Sequence, residues 1–279
     1  MRPDRVHLAR DGVTGVEAIR ARFAAHAYDL HRHDDWLVGV TDRGVQDFLC
    51  RGVRQRSTPG RVILIEPEEA HDGQAGIETG FAYRMLYLPQ AWLKGALADA
   101  PGGDPGFRDC LCDDPRLGRA IRTACRTIED GEDRLTRDEA LDHLARRLRP
   151  RLSRPERETG RPRDAALARR ARERLRADLA LDLGADALAR DAGASDRFQL
   201  ARAFRAAYRT SPGAYRLQIR LMRARRLLAE GEPPAAVAAD CGFTDQSHMG
   251  RWFRRAYGLP PGAYRALCTG VPDKAARGR

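Results

Sequence analysis

Residues 187–216 and 236–265 repeat one another at an offset of 49, with fifteen of the thirty positions identical. The identity is densest at the ends of the two copies. Phe204-Arg205-Ala206-Ala207-Tyr208 matches Phe253-Arg254-Arg255-Ala256-Tyr257, and Pro212-Gly213-Ala214-Tyr215-Arg216 matches Pro261-Gly262-Ala263-Tyr264-Arg265. A chain that repeats a stretch this short builds the same small unit twice. Two copies are too few for a solenoid, which needs three or so to bury a continuous core.

Each copy has the same mechanical plan. A short helix comes first, over 187–192 and 237–241. Ala189 and Ala238 are small enough to let a second helix cross closely. Gly193 and Gly242 suit the left-handed position that ends a helix. Asp196 and Asp245 then stand where a second helix is capped, with Ser195 and Thr244 as competing caps. On that helix Leu200 with Phe204, and Met249 with Phe253, lie four apart and face a core. A short helix, a tight glycine turn and a second helix make a helix-turn-helix unit, whose second helix enters the DNA major groove.

The exposed early positions of the second helices are then the base-reading candidates. They are Arg197, Phe198, Ala201 and Arg202 in the first copy, and Gln246, Ser247, Gly250 and Arg251 in the second. Arg202 and Arg251 coincide within the repeat, whereas Arg197 and Phe198 become Gln246 and Ser247. One scaffold with different groove-facing residues reads two different half-sites, with Arg suited to guanine and Gln to adenine. A helix over 215–229, carrying Arg216, Arg220, Arg223, Arg225 and Arg226, joins the units. A rigid connector of this kind sets recognition helices about one DNA turn, roughly 34 Å, apart. Charge points the same way: the chain carries +11, and residues 164–267 hold 19 Arg against 11 Asp and Glu. A positive excess of this kind favours a polyanionic partner.

The remainder of the 279 residues reads differently. From about Phe23 to Pro89, short strands alternate with turns: 36–40, 45–50, 61–65 and 81–88, separated by Asp42-Arg43-Gly44, Thr58-Pro59-Gly60, Asp72-Gly73 and Thr79-Gly80. That spacing predicts an antiparallel sandwich or barrel. Helical periodicity follows over 115–148, with Leu117, Ile121, Ala124, Cys125 and Ile128 on one face and Leu141, Leu144, Ala145 and Leu148 on another. Residues 149–163 are rich in Arg, Pro and Glu and read as an exposed linker at a domain boundary.

Taken together, Ala187-Leu188-Ala189-Arg190-Asp191-Ala192-Gly193, Arg225-Arg226-Leu227-Leu228, 237–243 and the run 246–253 closing on Pro261-Gly262-Ala263-Tyr264-Arg265 resemble the DNA-binding domain of the AraC/XylS family of bacterial transcription regulators. The resemblance covers residues 183–265. It implies that both recognition helices enter successive major grooves on one face of double-stranded promoter DNA. Upstream, His31-Arg32-His33-Asp34-Asp35-Trp36, Gly44, Pro59-Gly60 and Pro67-Glu68-Glu69-Ala70-His71 resemble that family's cupin-like sensing domain. The implied fold class is α+β: an amino-terminal cupin-like β-barrel with a helical appendage, then an all-α domain with two helix-turn-helix units. The expected divisions are a sensing barrel over 1–100, a helical dimerisation segment over 101–150, a linker over 151–163, the DNA-binding domain over 164–268 and a disordered tail over 269–279. The resemblance further implies a small-molecule effector, a homodimer, and RNA polymerase as partner if the protein activates.

His31, His33, Trp36, His71 and Tyr83 are the expected effector-pocket residues, with Tyr87 beside them. A His-x-His on a strand, with a third His on another, also suits a metal. Asp34 to Val40 lacks the Glu that accompanies this pattern in metal-dependent cupin enzymes, so these residues are read as pocket or turn-stabilising histidines, and no metal, cofactor or catalytic role is expected. The six cysteines form no CxxC pair, so neither a zinc site nor a disulfide framework is expected. No amino-terminal apolar stretch and no membrane-length run is present, and a soluble cytoplasmic protein is the expectation.

Overall fold

The computed structural model describes residues 4–24, 28–97, 106–153, 162–179 and 183–269. The chain divides into two compact units, a β-rich one of Met1–Pro155 with Arg255–Gly258 and a helical one of Glu156–Arg254 with Leu259–Arg279.

The β-rich unit opens with the hairpin β1 (Arg5–Arg10) and β2 (Glu17–Phe23), followed by β3 (Tyr28–His31), β4 (Trp36–Gly44), β5 (Gln46–Cys50), β6 (Val53–Ser57), β7 (Val62–Ile65), β8 (His71–Ala75) and β9 (Phe81–Leu88). A short helix α1 (Gln90–Ala96) and two two-residue strands, β10 (Gly106–Phe107) and β11 (Leu111–Cys112), complete it. One antiparallel sheet has the order β1-β2-β9-β4-β7-β11, and the other β3-β8-β5-β6. Contacts between the sheets close them into a barrel-like body: Phe23 meets Tyr28 edge-on at 5.1 Å, and the Thr41 and Ser57 hydroxyls bond at 2.7 Å. The strands 36–40, 45–50, 61–65 and 81–88 are present as expected. β3, β6 and β8 are additional, and so are β1 and β2. Their Ala, Arg and Glu content carries little β preference, and the hairpin is held instead by its ladder and by Asp11, which accepts from the Thr14 N–H at 2.9 Å in the turn.

Helices α2 (Pro115–Glu129) and α3 (Arg134–Leu148) pack on the larger sheet. Strand alternation decides which residues meet them. Val16, Ala18, Trp36, Val38, Val40, Val62, Leu64, Leu86 and Leu88 form one core with Leu117, Ile121, Ala124, Ile128, Leu141 and Leu144. The apolar stripes expected to serve a dimer are thus consumed by the chain's own sheet. Asp42 fastens the layer, accepting from Arg122 at 2.9 Å and pairing with Arg84 at 3.3 Å. The first residues of the expected linker form regular structure with the β-rich unit. After a 3-10 turn, β12 (Leu152–Ser153) pairs with β10, and Arg151 binds Asp114 at 2.6 Å. Residues 154–161 lie outside those described.

Cys50 and Cys110 form a disulfide across 60 residues, correcting the expectation of none. Spacing rules capture close-set pairs. This pair is brought together by topology, because Cys50 ends β5 and the Cys110 carbonyl accepts from Leu64 of β7.

The helical unit comprises α4 (Pro162–Ala177), α5 (Ala185–Ala192), α6 (Arg197–Tyr208), α7 (Pro212–Ala229), α8 (Pro234–Asp240), α9 (Gln246–Tyr257) and α10 (Pro261–Thr269). Ala168, Ala171, Leu175, Leu188, Ala189, Leu200, Phe204, Tyr215, Ile219 and Met222 make one core. The helix α7 is central: Leu221, Ala224 and Leu228 on it are buried, as are Val237, Met249, Phe253 and Tyr264 in the second copy. Its cap is Ser211, which accepts from the Ala214 N–H at 3.2 Å, so that the helix begins at Pro212, three residues before the expected start. Of the expected tail only Thr269 is described, and it ends α10.

Candidate DNA interface and effector site

The two helix-turn-helix units share their backbone bonds at the offset of the sequence repeat. Gly193 N–H donates to the Arg190 carbonyl and Ala194 N–H to Ala189; Gly242 N–H donates to Ala239 and Phe243 N–H to Ala238. Gly193 and Gly242 hold φ of 77° and 72°, a left-handed conformation that strains any residue with a Cβ. The competition between caps is decided for aspartate. The Asp196 carboxylate accepts from Gln199 N–H and Asp245 from His248 N–H, each at 2.7 Å. The Gln199 N–H also holds the Asp196 carboxyl below its usual range. The Gln199 side chain reaches back past the cap, accepting from Ser195 N–H at 2.8 Å.

With the starts of α6 and α9 fixed, helical phase sorts the side chains. Leu200, Phe204, Met249 and Phe253 are buried, as expected. Arg197, Phe198, Arg202, Gln246, Ser247 and Arg251 are exposed, and the small Ala201 and Gly250 are half-buried. Phe198 stands 61% exposed with the Arg197 guanidinium 5.0 Å over its ring, so it is no part of the core. Arg197 also reaches back to Asp186 on α5 at 3.8 Å. Arg205 and Arg254, which the sequence reading passed over, are exposed one turn further along the same faces. Their signal was present, since both are Arg in both copies. The arginines of α7 divide by role: Arg220 donates to the Leu179 carbonyl at 2.8 Å, and Arg225 is buried with its guanidinium 5.5 Å from the Tyr264 ring centre.

In the β-rich unit the structure gathers four of the five expected pocket residues. His31 on β3 is the cross-strand partner of His71 on β8, and His33 follows two residues on. The three rings lie 4.4–5.1 Å apart, centre to centre, and all are buried. Tyr87 packs edge-on against His33 at 4.8 Å, and Tyr28 lies 5.9 Å from His31. The Tyr28 and Tyr83 hydroxyls bond at 3.1 Å, which places Tyr83 beside the triad's neighbour rather than against the triad. Burial pushes the Tyr83 phenol up to about 12 and the His71 imidazole down to about 4, so both are neutral at pH 7. The sequence reading missed Tyr28, which no pattern marks.

Trp36 is a correction. It belongs to the core under α2 and α3 and meets Phe107 edge-on at 5.0 Å. Adjacent strand positions face opposite sides of a sheet, and Trp36 begins a strand on which it, Val38 and Val40 turn to the helices. Among the thiols, burial pushes Cys241 up to about 11 and raises Cys112, which makes neither a ready nucleophile.

Residues 13–145 match the family model of the AraC-like ligand binding domain, and residues 188–267 match that of a helix-turn-helix domain. The uncharacterized HTH-type transcriptional regulator YbfI of Bacillus subtilis is 24% identical over 221 residues, spanning 78% of this chain and 80% of its own. ToxT from Vibrio cholerae O395 shares the fold, with a TM-score of 0.58 at 11% identity over 97% of this chain and all of that one. ToxT of strain SCE256, in its unsaturated fatty acid-bound form, scores 0.56 at 12% identity over 98% of this chain and all of its own. No helix among the described residues is long and apolar enough to cross a membrane. With a ligand-binding β domain ahead of a tandem helix-turn-helix domain, the chain belongs to the AraC family of DNA-binding transcription regulators.

Proposed function

We propose that α6 and α9 read two neighbouring major-groove segments of promoter DNA, and that a small molecule in the amino-terminal barrel sets how firmly they do so. The observation that carries this reading is the pair of equivalent helix faces on one scaffold with different side chains. Arg197, Phe198, Ala201 and Arg202 supply one surface; Gln246, Ser247, Gly250 and Arg251 supply the other. Arg202 and Arg251 are the base-edge donors, and Arg205 and Arg254 bind phosphate. Ala201 and Gly250 let the groove floor approach, contributing contact area rather than hydrogen bonds.

His31, His33, His71 and Tyr83, with Tyr28 and Tyr87, form the effector site. The shared fold with a fatty acid-bound ToxT supports a barrel that accepts a ligand, while the imidazoles and phenols here favour one with polar groups. The protein acts by binding, without a catalytic step, in the cytoplasm, and RNA polymerase is its partner where it activates. A homodimer would use the outer faces of α2 and α3, since their apolar stripes are covered. The test is duplex binding to the chain's own upstream intergenic DNA, against scrambled DNA, over a salt series. Preferential binding that weakens steeply with salt supports the reading; sequence-blind binding that Arg202→Ala and Arg251→Ala leave intact overturns it.

A further inference from the structure

We infer that His31, His33 and His71 form a binding site for a divalent first-row transition metal of the zinc class. The inference goes beyond the DNA reading and bears on the effector reading, because it assigns a metal to three of the residues placed in that site.

Geometry carries it. One ligand nitrogen from each of the three rings lies within 4.8 Å of the other two. Two come from facing positions of one strand pair, so the ladder fixes their approach, and the third follows two residues beyond the strand, its carbonyl accepting from Glu68 N–H at 2.7 Å. A tetrahedral zinc with bonds of about 2.1 Å needs nitrogens about 3.4 Å apart, a closure of up to about 1.4 Å within reach of side-chain rotation. The bonds behind the rings matter as much. Nδ1 of His31 meets the Asp29 carbonyl at 2.7 Å, and Nδ1 of His71 meets the Glu69 carbonyl at 2.9 Å. A carbonyl only accepts, so each Nδ1 carries the proton and each Nε2 carries the lone pair. The same i to i−2 brace occurs on both strands. It is the outer-shell hydrogen bond that orients a metal-binding imidazole and sets its tautomer.

The donor set selects the metal class. Three neutral imidazoles suit zinc, nickel, cobalt or copper and not calcium or magnesium, which take oxygen. No carboxylate joins the cluster among the described residues. Asp72 and Arg32 are charged groups that act on His71, and Arg32 is buried with its guanidinium engaged by the Glu68 carbonyl. That charge opposes a cation and favours an anionic fourth ligand, which the open position of a three-histidine site would accept.

The test uses tag-free full-length protein stripped with chelator and titrated with Co2+ and Zn2+. The expected result is one equivalent of Co2+ per chain, with the visible d–d absorption of a nitrogen-ligated ion, displaced by Zn2+. His33→Gln and His71→Gln should each weaken binding by at least tenfold while far-UV circular dichroism is unchanged. No stoichiometric binding, binding that survives both substitutions, or a thiolate charge-transfer band from the unsubstituted protein would each overturn the inference. The last outcome needs no variant to fold. Promoter binding measured with and without metal separates the two readings. Retained metal with DNA binding indifferent to it keeps the site and denies it the effector role; DNA binding that responds to an organic ligand in metal-free, non-binding protein keeps the effector role and removes the metal.

Discussion

Arg209 and Gly258 occupy equivalent positions at the ends of α6 and α9, and both hold left-handed backbone, at φ 57° and 77°. The second copy fills that position with the residue that takes it without strain; the first fills it with one that does not. The neighbouring differences follow from what comes next, because Thr210 is buried and Ser211 caps α7. Arg209→Gly should therefore stabilise the helical unit. Relief of left-handed strain is about 1 kcal/mol, partly offset by the greater freedom of glycine in the unfolded chain. Thermal unfolding should show a higher midpoint, and a lower one would mean that the Arg209 side chain contributes more than its backbone costs.

The exposed arginines of α6 and α9 should separate by the kind of contact they make. Arg202→Ala and Arg251→Ala are expected to cost about 1–3 kcal/mol each and to relax preference at one base position. Arg205→Ala and Arg254→Ala should weaken binding to all sequences alike and lower the salt slope by about 1 each. Competition binding against a panel of single-base variants, repeated at two salt concentrations, distinguishes the pairs. Equal behaviour of all four would mean that the base-reading residues lie elsewhere on these faces.

The helical unit was legible because its constraints are local. Caps, left-handed glycines and four-residue spacings act within one turn of the residue that shows them, and the repeat displays each twice. The barrel was legible only in outline. Its strands announced themselves where β-branched residues run together, as in Val62 to Ile65, but not in β1 and β2, where the pairing of β1 with β2 and of β2 with β9 overrides weak propensity. Which face a side chain occupies depends on strand phase, and that is why Tyr83 and Trp36 looked alike in sequence and fall on opposite sides of one sheet. The meeting of His71 with His31 depends on register between β3 and β8, and the Cys50–Cys110 pairing on the fold as a whole.

That disulfide should matter to stability in proportion to the loop it closes. A closure across 60 residues limits the unfolded chain by about 4 kcal/mol at most in the loop-entropy account. Cys50→Ser with Cys110→Ser should lower the unfolding midpoint of the β-rich unit, and reductant should lower the unsubstituted protein's midpoint to match. Thiol titration of denatured protein should find four reactive groups before reduction and six after, given the six cysteines of the chain. An equal count before and after would show that the bond does not form under those conditions.

Asp114 links a helix cap to a domain edge, and its pH behaviour follows from its contacts. Its carboxylate accepts from Leu117 N–H at 3.0 Å as the cap of α2 and from Arg151 at 2.6 Å, where the chain leaves α3. Burial pushes the carboxyl up, but the Leu117 N–H and the Arg151 guanidinium outweigh it and hold it below its usual range. A carboxyl depressed in the fold contributes stability that is fully present above its unfolded value of about 3.9 and is lost as pH falls through the folded value. Asp114→Asn keeps an acceptor for the cap and removes the charge facing Arg151, whereas Asp114→Ala removes both. At pH 7 the alanine variant should lose about 1 kcal/mol more than the asparagine variant, the usual worth of a cap. On acidification the stability gap between unsubstituted protein and Asp114→Asn should begin to narrow below about pH 4, where the unfolded carboxyl takes up its proton, and go on narrowing as pH falls towards the lower native value. Urea unfolding at pH 7, 5 and 3.5 measures all three, and a gap that stayed constant across that range would mean that the contact with Arg151 adds nothing to the fold.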